Sequence, residues 1–109
     1  MEKTTQTYLK VYESIDQNLS LDHIDTYNED ELIRIITSRV QFLIDNDKDL
    51  LMSYLYRLDI PNNKIQAALR ITNEVPIHVS LGLLIYYRQL ERIRTKLKYK
   101  QKDIGEDWA

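Results

Sequence analysis

A chain of 109 residues, 43% hydrophobic and 29% charged, is long enough to bury one core without metal or disulfide staples. It has no cysteine, which excludes disulfides, thiolate metal sites and a cysteine nucleophile; with two glycines and two prolines it also lacks the turn residues of a many-stranded β fold. A net charge of −2 exerts no general pull on nucleic acid, and no uncharged apolar run approaches the roughly 18 residues that span a membrane.

Met1 to Gln6 contains no apolar segment of the kind a secretory signal carries, so a cytoplasmic chain is expected. The first predicted helix runs from about Thr5 to Leu19, with Tyr8, Val11, Tyr12, Ile15 and Leu19 on one face. An acidic loop, Ser20 to Tyr27, follows. Asn28 reads as an N-cap, and Glu31 three residues later completes a capping-box pattern for a second helix ending near Asn46. Asp47 can cap a third, Lys48 to Leu58. Leu58-Asp59-Ile60-Pro61 reads as a turn, and Pro61 opens a fourth helix to about Ile71. Thr72 to Val75 breaks that helix. Pro76 starts a fifth, running to about Lys100, with a polar tail from about residue 101. The pattern predicts an all-α fold over residues 1–109: one compact bundle of about five helices with a long C-terminal helix.

The fifth helix is the most informative element. Val79, Leu83, Tyr86, Leu90, Ile93 and Leu97 follow a heptad seam, while Ile77, Leu81, Leu84 and Ile85 form a second stripe along its first half. The seam either packs on the first or second helix of the same chain or meets a second copy; a homodimer through Leu90, Ile93 and Leu97 is the testable form of the second option. Charge is unevenly distributed. Glu13 to Glu31 holds seven acids and no lysine or arginine, whereas Arg88 to Lys102 holds seven bases and one acid, Glu91. Arg94 and Lys98 lie beside the seam and are candidate interaction residues with it.

Two arginines occupy apolar phases. Arg39 falls between the sector of Leu32, Ile33, Ile36, Val40, Leu43 and Ile44 and that of Ile35 and Phe42; Arg88 falls on the stripe of Leu81 and Leu84. A guanidinium held there needs a carboxylate or carbonyl, so both are expected to be substantially buried. At least one is expected to pair with an acid of another helix, with Asp49, Asp59 and Glu91 as leading candidates. The pair would be a structural ion pair or an anion site.

The remaining chemistry is sparse. Asp22-His23-Ile24-Asp25 offers three ligand types on one loop without a second histidine nearby, which is a poor metal site, and His78 follows Pro76 at a helix start. Eight tyrosines, among them Tyr54, Tyr56, Tyr86 and Tyr87, serve as core rings or interface anchors. No Ser-His-Asp order or pair of isolated catalytic carboxylates is present, so no enzymatic activity, metal or cofactor is expected.

Leu58-Asp59-Ile60-Pro61-Asn62-Asn63-Lys64-Ile65-Gln66-Ala67-Ala68-Leu69 resembles the turn and second helix of a DNA-binding helix-turn-helix, which implies that Asn62, Asn63, Lys64, Gln66 and Arg70 would face a groove. Leu55 stands where that motif prefers a small residue, and Asp59 replaces its turn glycine. Extended through Asn73, the stretch also resembles a ubiquitin-associated three-helix domain, again without the turn glycine. Arg39-Val40-Gln41-Phe42-Leu43-Ile44-Asp45, Tyr54-Leu55-Tyr56-Arg57-Leu58-Asp59 and Leu84-Ile85-Tyr86-Tyr87-Arg88-Gln89-Leu90 together resemble a group of small, all-helical bacterial proteins of unassigned function. That resemblance implies a bacterial cytoplasmic origin and no particular chemistry. The expected function is a helical protein-interaction module that binds a protein partner or itself. The alternative is a nucleic-acid-binding regulator using residues 50–70 and the basic end of the last helix.

Overall fold

Five helices follow one another: α1 (Thr5–Leu19), α2 (Glu29–Asn46), α3 (Lys48–Arg57), α4 (Asn62–Ala68) and α5 (Ile77–Glu106). The structure, a computed structural model, describes residues 5–70 and 74–106, with side chains through residue 98. There is no strand among the described residues. The expected break at Thr72 and Asn73 lies outside them, as do the side chains of Lys100 and Lys102.

Side-chain caps set the helix starts. Asn28 Oδ1 accepts the backbone N–H of Glu31 at 2.9 Å, and Glu29, Asp30 and Glu31 place negative charge at the positive end of α2. Only this half of the capping box forms among the described residues; the Glu31 carboxylate takes Nη2 of Arg34 at 2.8 Å. Asp47 joins two helices by itself. Its N–H donates to Leu43 O and closes α2, while its Oδ1 accepts Leu50 N–H and opens α3.

Two boundaries differ from expectation. α4 stops at Ala68, short of Ile71: Arg70 N–H reaches back only three residues, to Ala67 O, and tightens the end. α5 continues to Glu106, through the residues read as a polar tail, since Gln101, Lys102 and Asp103 do not break a helix and one glycine costs only about 1 kcal/mol.

The core is a single cluster drawn from all five helices and the α1–α2 loop. Val11, Ile15 and Leu19 of α1 meet Leu32, Ile35, Ile36, Val40 and Leu43 of α2, with Leu51, Tyr54 and Leu55 of α3 and Ile65 of α4. α5 closes the cluster with Leu81, Ile85, Tyr86 and Leu90. Its most extensive partner is α2, then α1. At Gly82 the two helices come so close that only hydrogen fits against Thr37. Of the second sector on α2, Ile35 is buried but Phe42 is half exposed, with the Arg39 guanidinium 4.8 Å from its ring centre.

The middle of the α5 heptad seam, Tyr86, Leu90 and Ile93, serves the chain's own core, while Val79, Leu83 and Leu97 are partly exposed. Leu90 is buried and Ile93, partly buried, packs against the core, where α1 and α2 both lie along α5. Leu97, one turn on, is partly exposed, Arg94 is half-buried and Lys98 is exposed. α5 also outreaches its neighbours. Thirty residues span about 45 Å at 1.5 Å each, and the molecule is 53 Å long with a radius of gyration of 15.3 Å, against about 13 Å for a round domain of this length.

Candidate functional site: a basic groove between α1, α3 and α5

The two arginines that sequence phase singles out are half-buried, and among the described residues neither pairs with an acid of another helix. Arg39 donates its Nε–H to the carbonyl of Leu19, the last residue of α1, and Arg88 donates its Nε–H to the carbonyl of Leu58, the C-cap of α3, at 2.8 Å. Both carbonyls belong to helix ends, where the last four C=O groups lack intrahelical donors. The residues that follow them, Ser20 (φ 57°) and Asp59 (φ 61°), are the positive-φ non-glycine residues among those described. Ser20 N–H returns to Asp16 O, and around Asp59 the bonds Asp59 N–H to Tyr56 O and Ile60 N–H to Leu55 O make a Schellman closure.

Of the expected acids, two are elsewhere and the third pairs only within its own helix. Asp49 and Asp59 are exposed, and Glu91 meets Arg88 along α5 at 3.2 Å, three residues on and largely in solvent. The contact that each guanidinium makes to another helix is to a carbonyl, and carbonyls carry no residue-type signal in sequence. Arg39 and Arg88 are helix caps supplied from other helices.

A different set of cations converges where α1, α3 and α5 meet. Lys10, Glu13, Ser14, Gln17 and Asn18 of α1 form one wall of a groove of about 560 Å³; Tyr54, Arg57 and Leu58 of α3 and Gln89, Arg92, Ile93 and Lys96 of α5 form the rest. Four cations thus face one acid. Glu13 forms no ion pair with them, and the described ion pairs all lie outside the groove. Arg57 is steadied by one bond, Nη1 to Asn18 Oδ1 at 2.9 Å, leaving its other N–H groups uncommitted.

The floor is polar and buried. Tyr54 is 1% exposed and Gln89 7% exposed, and Gln89 Nε2 donates to the Tyr54 hydroxyl at 3.0 Å. The hydroxyl accepts that bond and has no acceptor for its own proton among the described residues. Burial pushes the Tyr54 pKa above the ordinary tyrosine value, while the Gln89 bond and the positive fields of Arg92 and Arg57 act the other way. The phenol is therefore a neutral donor under a canopy of positive charge. Residues 10, 57, 92 and 96 escape sequence reading because three helices bring them together. The one signal was Gln89, a polar residue in phase with buried Leu81, Ile85 and Tyr86.

Elsewhere the polar chemistry is local. His23 and Asp25 touch at 3.1 Å in an exposed loop, and no group of three or more metal-ligating side chains occurs among the described residues. Tyr86 is fully buried and donates its hydroxyl to Glu29 Oε2 at 2.8 Å, tying α5 to the first turn of α2. Tyr56 and Tyr87 are exposed. On α4, Asn62, Asn63, Lys64 and Gln66 are all exposed, as is Arg70 just beyond it. No helix among the described residues is long and apolar enough to cross a membrane. No family model, curated protein or solved structure matches the chain.

Proposed function

We propose that this chain is a helical interaction module that takes an acidic segment of a protein partner into the groove between α1, α3 and α5. The observation that carries this reading is the four-to-one excess of cations around a buried polar floor, without ion pairs to neutralise it. Uncompensated charge in a concave site steers an oppositely charged partner and fixes its register more than it adds raw affinity. The basic surface continues along α5 through Lys98, so the segment would lie partly along that helix. The test is titration with a glutamate-rich peptide followed by NMR. Joint reversal by Arg57→Glu and Arg92→Glu should weaken binding about tenfold or more, with Lys48→Glu on exposed α3 surface as the neutral control. Equal binding to the reversed variant would reject the groove.

A second reading, a nucleic-acid regulator, draws on the exposed donors of α4 and on Arg70. Binding to generic duplex DNA that weakens steeply with salt would support it. Salt-insensitive or absent binding would remove it.

A further inference from the structure

We infer that the floor of the α1/α3/α5 groove is a phosphomonoester site: the Tyr54 hydroxyl donates to one oxygen of the phosphoryl group, and Arg57 and Arg92 close on the others. The inference rests on the groove being the binding face, as proposed above, and adds the chemistry of what is bound there.

Three features of the site carry it. A carboxylate offers one negative charge and two oxygens, and a single arginine fork satisfies it. Here Lys10, Arg57, Arg92 and Lys96 oppose only Glu13, an excess of three that a single carboxylate leaves largely uncompensated. A phosphomonoester brings a charge of about −1.5 to −2 and three acceptor oxygens, which two arginines and a neutral hydroxyl can share. The Tyr54 hydroxyl is the second feature. Its oxygen accepts from Gln89 and its own proton has no acceptor among the described residues, so the proton is left for an incoming acceptor. The third is depth. Tyr54 and Gln89 are almost wholly buried, so this donor is fixed before binding, whereas surface lysines alone would offer only diffuse charge.

The experiment compares three probes by NMR and calorimetry on the full chain: an acidic peptide with one phosphoserine, the same peptide with glutamate there, and glycerol phosphate. If the phosphoserine peptide binds about tenfold or more tighter than its glutamate version, and Arg92→Gln and Tyr54→Phe each erase that margin, the inference holds with a protein-borne group. Arg92 is exposed, so its variant keeps the test meaningful if Tyr54→Phe perturbs folding. If glycerol phosphate alone matches the phosphopeptide, the phosphoryl site stands and the protein-segment reading falls. Equal binding of the two peptides overturns the phosphoryl inference and leaves the groove as an acidic-segment site. Failure of all three probes to perturb Tyr54, Gln89 or Arg92 signals overturns both.

Discussion

Gly82 of α5 faces Thr37 of α2 so closely that a Cβ on the glycine would lie 2.5 Å from Thr37 Cγ2 and 3.1 Å from Thr37 Cα. The threonine has little room to yield, since its Oγ1 donates to Arg34 O at 3.0 Å. The contact lies between the two helices that share the most extensive packing in the fold. Gly82→Ala is accordingly expected to destabilise by about 1–3 kcal/mol through overpacking, despite alanine's better helix propensity. Adding Thr37→Ser, which removes the clashing methyl, should recover part of the loss. A chemical-denaturation cycle of the two variants that shows simple additivity would reject the contact as the cause.

The arginine caps make a second prediction, smaller than a buried ion pair would give. Arg39→Met and Arg88→Met each leave a helix-end carbonyl without its charged donor, at a cost of about 1–2 kcal/mol given their partial exposure. Asp49→Ala should change stability by no more than about 0.5 kcal/mol, because that acid is exposed and holds neither arginine. Urea midpoints distinguish this from the loss of about 3–5 kcal/mol that follows when a buried acid is orphaned.

Asp59 occupies the left-handed region at φ 61°, where a side chain is strained and glycine is not. Asp59→Gly should therefore raise stability by about 0.5–1 kcal/mol while preserving the Schellman closure of α3. A lowered thermal midpoint would show that the aspartate contributes something beyond its backbone.

Tyr86 predicts an alkaline limit. Burial, then its hydrogen bond to Glu29 and that residue's charge, raise its pKa well above the ordinary value of 10. The unfolded chain releases the proton near pH 10 while the folded chain keeps it, so stability is full below pH 10 and declines as pH rises above it. Each retained proton contributes a slope of up to about 1.4 kcal/mol per pH unit, and Tyr54, raised in the same direction, adds to it. Tyr86→Phe should flatten that decline and lower neutral-pH stability by about 1 kcal/mol. An unchanged alkaline profile in urea melts would contradict the burial argument.

The reach of sequence reasoning depended on how local each determinant is. Thr5 to Leu19 was legible as α1 because its period and stop lie within the helix, and Asn28 and Asp47 were legible as caps because their acceptors sit three residues from the donors they serve. Helical phase also placed Arg39 and Arg88 beside the core. It found Glu91 as a partner of Arg88, though along the same helix, and missed the carbonyls of Leu19 and Leu58 because a backbone carbonyl looks the same in every sequence. The groove was less accessible still. Lys10, Arg57 and Arg92 are ordinary surface residues of their own helices and acquire meaning only through how α1, α3 and α5 pack. Leu90 and Ile93 show the converse, since their seam spacing suits an intermolecular coil and an intramolecular core equally well.

The arginine caps also bear on the order in which the chain acquires structure. The donors for the ends of α1 and α3 arrive from residues 20 and 30 positions further on, so neither last turn is completed by its own segment. An isolated peptide of α1 or α3 would fray at that end, short as such helices are. In the folded chain the same turns are locked to α2 and α5. Their amide protons should exchange with solvent only when those helices detach, placing two helix termini among the slowly exchanging parts of the molecule.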